Sequence, residues 1–135
     1  MPVDTYVADS HVLLWYFFNP SKLSLPVSSV FQRVEKGQAR IIVSMLVLTE
    51  IGMIVEKGRV PVSVAELEQV MAKMQASASY RFVPLRLGVV KRALSLTALP
   101  DIFDRVITAE ALVRRIPLLT KDPLIHQAGA ISCIW

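Results

Sequence analysis

Short apolar runs rich in β-branched and aromatic residues alternate along this chain with stretches whose apolar residues recur at helical spacing. That alternation is what most restricts the fold. Thr5–Ala8 reads as a strand and Ser10–Phe18 as a helix. Val27, Val30, Phe31 and Val34 stand at i, i+3, i+4 and i+7, which predicts an amphipathic helix over Val27–Lys36, stopped by Gly37. Ile41–Val43 reads as a strand, and Ser44 as the cap of a helix over Met45–Lys57 that Gly58 closes. Ser63 and Glu66 have the spacing of a capping box, ahead of a helix with Leu67, Val70, Met71 and Met74 on one face. Phe82–Leu85 predicts a third strand, and Leu87, Val90 and Leu94 the next helix. A helix over Ile102–Arg115, a strand over Pro117–Thr120, a short helix over Pro123–Ala128 and a strand over Ile131–Ile134 complete the chain. Strands separated by helices pair in parallel through right-handed crossovers. The expected architecture is therefore a three-layer α/β/α sandwich with a mainly parallel sheet of about five strands. At 135 residues the chain suits a single domain, 1–135.

Composition narrows the class. Hydrophobic residues make up 53%, high for a globular chain, which fits a sheet buried on both faces and an apolar oligomer interface. The longest apolar runs, His11–Phe18 and Ile41–Val55, fall short of a membrane span, and the second contains Glu50. Asp4 and Asp9 near the N-terminus argue against a signal peptide. A single cysteine, Cys133, excludes an internal disulfide and a cysteine-based zinc cage, and reads as a buried small residue of the last strand. A cytoplasmic protein without membrane contact is expected. The net charge of +4 is a weak nucleic-acid signal by itself. Setting aside Asp9, Glu50, Asp101, Asp104 and Asp122 leaves 15 basic against six acidic residues. A basic surface around an acidic hole suits a metal-using enzyme with a polyanionic substrate.

Those carboxylates fall where an open parallel sheet binds ligands, beyond the carboxyl ends of its strands. Asp9 follows the first strand, Asp122 follows the fourth, and Asp104 opens the helix before the fourth, with Asp101 one turn earlier. Each also fits a cap: Asp9 before Ser10, Asp101 with Asp104 as a capping-box-like pair, and Asp122 before Pro123. Glu50 lies about a turn and a half into a helix that is apolar nearly all round. A buried carboxylate there costs several kcal/mol, on the order of 3–5, unless it is paired or liganded. Converging carboxylates repel one another, and a divalent cation removes that repulsion. Oxygen-only ligands suit Mg²⁺ or Mn²⁺ rather than zinc. A pair of such ions about 4 Å apart would serve both the attacking and the leaving oxygen of a phosphodiester.

Three segments carry a family resemblance. Asp9-Ser10-His11-Val12-Leu13-Leu14-Trp15 resembles the opening motif of PIN domains, in the branch of VapC-like toxins of type II toxin–antitoxin systems. Asp101-Ile102-Phe103-Asp104-Arg105, followed by Ala109, is similar to that branch's Asp-Pro-Phe-Asp-Arg segment, with Ile102 in place of the proline. Thr120-Lys121-Asp122 is similar to its Thr-x-Asp, and Glu50 falls where the family carries a glutamate. The resemblance runs from about Tyr6 to the C-terminus. It implies a Mg²⁺-dependent ribonuclease, commonly a homodimer, blocked by a small antitoxin protein. It also implies Asp9, Glu50, Asp104 and Asp122 as metal ligands and catalytic groups, Asp101 as an accessory acid, and Ser10 or Thr120 as hydrogen-bonders behind them. Lys121 and Arg105 stand as candidate substrate contacts, Lys121 either touching a phosphate or simply solvated. RNA rather than DNA rests on the resemblance alone.

Other side chains have blander readings: His11 as a structural histidine bonding backbone, His126 as a surface residue, and Trp15–Phe18 as core or interface rather than base-stacking aromatics. The rival readings are a PIN-like module with degraded chemistry that only binds RNA or protein, a phosphoacceptor receiver domain and a metal phosphatase. A receiver needs an acidic pair after the first strand and an aspartate ending the third, where this chain has Asp9 alone and Leu85-Arg86. A phosphatase on a similar fold wants Asp-x-Asp, and the residue two past Asp9 is His11.

Overall fold

Val7, Ala8, Ile41, Val43, Leu118 and Leu119 have no accessible surface. Neighbouring residues of a strand point to opposite faces, so burial of consecutive residues requires a sheet covered on both sides. The computed structural model, which describes residues 3–135, has that arrangement. Its elements are β1 (Asp4–Ala8), α1 (Ser10–Phe18), a 3₁₀ turn (Pro20–Lys22), α2 (Leu25–Glu35), β2 (Ala39–Ser44), α3 (Met45–Glu56), α4 (Val64–Ala76), β3 (Tyr80–Val83), α5 (Leu87–Leu94), α6 (Ile102–Arg114), β4 (Leu118–Leu119), α7 (Pro123–Ala128) and β5 (Cys133–Ile134). The five strands are all parallel, in the order β3-β2-β1-β4-β5.

The chain steps from β1 outward through β2 to β3, then crosses back to β4 and β5 on the other side of β1. Right-handed crossovers that advance in opposite directions lay their helices on opposite faces, which makes the three layers. The step between β1 and β4 is the topological switch point, where diverging connections leave a crevice at the carboxyl edge of an α/β sheet. β1 meets β2 from Asp4 opposite Ala39 to Val7 opposite Ile42, and meets β4 at Val7–Leu118 and Ala8–Leu119.

Local signals account for most boundaries. Gly37 and Gly58 take left-handed conformations just past α2 and α3, with φ of 71° and 67°, so the expected stops are where a residue without Cβ is favoured. The Ser63–Glu66 capping box is formed in both directions. Several boundaries differ from the expected ones. α2 starts at Leu25 rather than Val27, because the Ser24 side chain caps it and Pro26 suits its first turn. β3 runs over Tyr80–Val83 rather than Phe82–Leu85: Pro84 has no N–H to give the ladder, and the register on β2 begins at Ile41–Tyr80. The last two strands keep only two paired residues each, Pro117 being likewise unable to donate.

The expectation that α3, apolar nearly all round, is largely buried is corrected in part. Met45 and Met53 are 37% and 39% exposed and Thr49 is exposed, and the side that carries Glu50 and Met53 borders an open cleft.

Candidate active site

Asp9 leaves β1 at its carboxyl end and turns directly into α1. Its Oδ1 accepts from the Ser10 backbone N–H at 2.7 Å, and its Oδ2 accepts from the Thr120 hydroxyl at 2.8 Å. Thr120, fully buried just past β4, therefore ties the two sides of the switch point together. The same Thr120 oxygen accepts from the Asp122 backbone N–H at 3.1 Å, which holds the turn into α7. Ser10 repeats this on the other side, its hydroxyl donating to Glu50 Oε1 on α3.

The carboxylates of Asp9, Glu50, Asp101, Asp104 and Asp122 line one open cleft of about 890 Å³. The capping readings hold alongside this placement. Asp101 Oδ1 accepts from the N–H groups of Phe103 and Asp104 at 2.8 and 3.2 Å, and Asp122 Oδ1 accepts from Leu124 N–H at 2.9 Å. A carboxylate has two oxygens, so one can cap a helix while the other faces the cleft. The expected pair at α6 is one-directional: Asp101 caps it, and the Asp104 carboxylate accepts no hydrogen bond among the described residues.

The electrostatics are those of crowded anions in partial burial. Asp104 is pushed up to about 7, first by burial, then by repulsion from Asp122, Asp9, Asp101 and Glu50. Burial also raises Asp9, against the opposing donation from Thr120 and Ser10. Glu50 is raised by burial and by Asp9 and Asp101, while the Ser10 hydroxyl pulls the other way. It is half-buried rather than enclosed.

The donor set fits a hard divalent cation in chemistry: it is all oxygen and multiply anionic, and Asp9, Glu50 and Asp104 are held at raised pKa, which a positive charge would relieve. As the side chains stand, no three Asp, Glu, His or Cys among the described residues form a group that could hold a metal ion.

Lys121 also lines the cleft and is exposed; Arg105 does not line it. The Arg105 Nε donates instead to the Leu99 carbonyl, which ties the loop before α6 to the helix. His11 makes no hydrogen bond to backbone among the described residues; it is exposed at the cleft against Trp15, contrary to the structural role expected of it. His126 is exposed and its Nε2 hydrogen-bonds the Thr120 carbonyl at 2.7 Å. Lys22, Lys57 and Arg59 line the cleft as well and were not anticipated. For Lys57 the signal was there: it stands seven residues after Glu50, at the C-cap of α3 and two helical turns on.

A family model for the PIN domain matches residues 6–130. No curated protein sequence matches the chain. Among solved structures, the VapBC2 complex from Rickettsia felis bound to a promoter DNA fragment superposes with a TM-score of 0.72 at 11% identity, over 97% of this chain and 98% of that one. DNA-bound VapBC from Salmonella typhimurium gives 0.70 at 13% identity, over 98% of each chain. A toxin–antitoxin complex from Klebsiella pneumoniae gives 0.57 at 17% identity, over 87% and 86%. At identities this low the superpositions establish a common fold and nothing more.

Proposed function

From the premise that this chain belongs to the PIN-domain family, we propose that it is a Mg²⁺- or Mn²⁺-dependent endoribonuclease, the toxin of a toxin–antitoxin pair. The observation that carries the reading is the convergence of five acidic side chains on one cleft at the switch point. They come from four separate segments, and burial and repulsion raise three of them. Such an arrangement is destabilising without a cation and therefore calls for a function.

In this reading Asp9, Glu50, Asp104 and Asp122 hold the cation and Asp101 adds charge beside them. A bound divalent cation supplies Lewis acidity and stabilises charge on the phosphodiester as it is cleaved. Thr120 and Ser10 fix the orientation of Asp9 and Glu50, as the hydrogen-bond partners of metal ligands generally do. Lys121 attracts the phosphate backbone. Arg105 is not given a substrate role, since its Nε is engaged by Leu99. An antitoxin partner is supported by the shared fold with the Klebsiella complex. A homodimer acting in the cytoplasm completes the proposal. Among the described residues no helix is long and apolar enough to cross a membrane.

The test is incubation of the purified protein, freed of any co-purified partner, with single-stranded and structured RNAs and Mg²⁺ or Mn²⁺. EDTA and Asp104→Asn serve as controls, and metal binding is followed by calorimetry. Cleavage lost in both controls supports the nuclease. Absence of both cleavage and metal binding refutes it and leaves a module that only binds RNA or protein.

A further inference from the structure

The cleft has an aromatic and cationic wall of which the roles above use only Lys121. On α1, Val12, Leu13 and Leu14 enter the core. Tyr16 stacks on Phe31 with centroids 4.1 Å apart, and Phe17 packs 6.0 Å from Tyr80. Trp15 alone of this aromatic run lines the cleft. It is half-buried, with its centroid 5.7 Å from that of Trp135 and 5.8 Å from that of His11. The Lys121 ammonium lies 5.8 Å from both indole centroids, and that of Lys22 lies 5.9 Å from Trp15. Lys121 stands between Thr120, which bonds Asp9, and Asp122, so this wall is contiguous with the carboxylate floor.

A large aromatic surface flanked by exposed ammonium groups matches how unpaired nucleotides are held, with a base on the π-face and phosphates on the cations. We propose that Trp15 is a base-stacking, substrate-positioning residue: one unpaired base next to the cleaved linkage lies on its indole, and Lys121 and Lys22 hold the flanking phosphates. The inference rests on the nuclease reading and narrows its substrate to a strand that is unpaired at the cleft. A base inside a duplex is already stacked on its neighbours and cannot reach the indole without being extruded.

Binding is measured separately from cleavage, by anisotropy of a labelled eight-nucleotide single-stranded RNA on the Asp104→Asn protein. In that background Trp15→Leu weakens binding roughly 5- to 150-fold, and Trp15→Phe keeps most of it. Removing the base at one position of the RNA weakens binding to the Trp15 protein by a similar factor, and Trp15→Leu then adds nothing further. Lys121→Gln lowers the slope of log affinity against log salt by about 0.7. Circular dichroism checks each variant for folding; if Trp15→Leu does not fold, the single-base deletions and Trp15→Phe carry the test. Equal binding by Trp15→Leu, indifference to every base deletion, equally tight binding of a duplex, or no binding by the Trp15 protein overturns the proposal. Base-dependent binding in a protein that neither cleaves nor binds metal supports the stacking site and refutes only the nuclease; cleavage unaffected by Trp15→Leu, in kcat and in KM, does the reverse.

Discussion

Replacing Asp104 by Asn should stabilise the metal-free protein, and only where the carboxylate would be charged. Asp104 is held at about 7 in the folded chain against an ordinary 3.8. Below pH 3.8 it is protonated both folded and unfolded and has no effect. Between 3.8 and 7 the unfolded chain loses the proton first, so stability falls as pH rises, and above 7 the whole cost is present. At full value that displacement corresponds to about 4 kcal/mol. Asp104 borders open solvent, and screening there reduces the cost to about 2 kcal/mol. Asn also forfeits a favourable charge in the first turn of α6, about 0.3–1 kcal/mol. The net gain for Asp104→Asn at pH 8 is therefore about 1–1.5 kcal/mol, or a rise in Tm of roughly 3–6 °C for a chain of this size. Thermal unfolding followed by circular dichroism in EDTA, at pH 4 and pH 8, measures it. At pH 4 the gain should vanish or turn into a small loss. Added Mg²⁺ should raise the Tm of the parent more than that of the variant. Equal Tm values at pH 8, or an equal gain at both pH values, would refute the argument that crowded anions strain this cleft.

Thr120→Val removes the donor to Asp9 Oδ2 and leaves a buried carboxylate oxygen unpaired, a loss of about 1–3 kcal/mol in urea unfolding together with slower cleavage. Leu13→Ala, under the sheet and 1% exposed, should cost about 2–5 kcal/mol, read as a lower denaturant midpoint at unchanged m-value. Ser63→Ala breaks the capping box of α4, away from the cleft; it should cost about 0.5–2 kcal/mol by the same assay while leaving cleavage per folded molecule unchanged.

Features that depend on a few adjacent residues were legible in the chain itself. The caps at Ser44, Ser63, Asp101 and Asp122, the left-handed stops at Gly37 and Gly58, and the i, i+3, i+4, i+7 stripe of α2 are decided by local hydrogen bonding, backbone sterics and helical geometry. The strand–helix alternation then restricted the sheet to parallel pairing, and the carboxyl edge of such a sheet is where Asp9 and Asp122 had to lie. What no local pattern states is which partner a side chain takes when several are within reach. Thr120 bonds Asp9 across 111 positions of sequence, Ser10 bonds Glu50 across 40, and Arg105 turns back to Leu99 rather than toward the cleft. Trp15 in an aromatic run reads as core until the fold shows Tyr16 and Phe17 taking that role and Lys121 and Trp135 arriving beside the indole from the far end of the chain. Exposure of one side of α3 was likewise hidden, because its composition is apolar nearly all round and only the packing around it leaves a cleft. Hydrogen bonds, stacking and cleft formation between distant segments depend on the packed distances between elements, and those exist only once the sheet has brought its strands side by side.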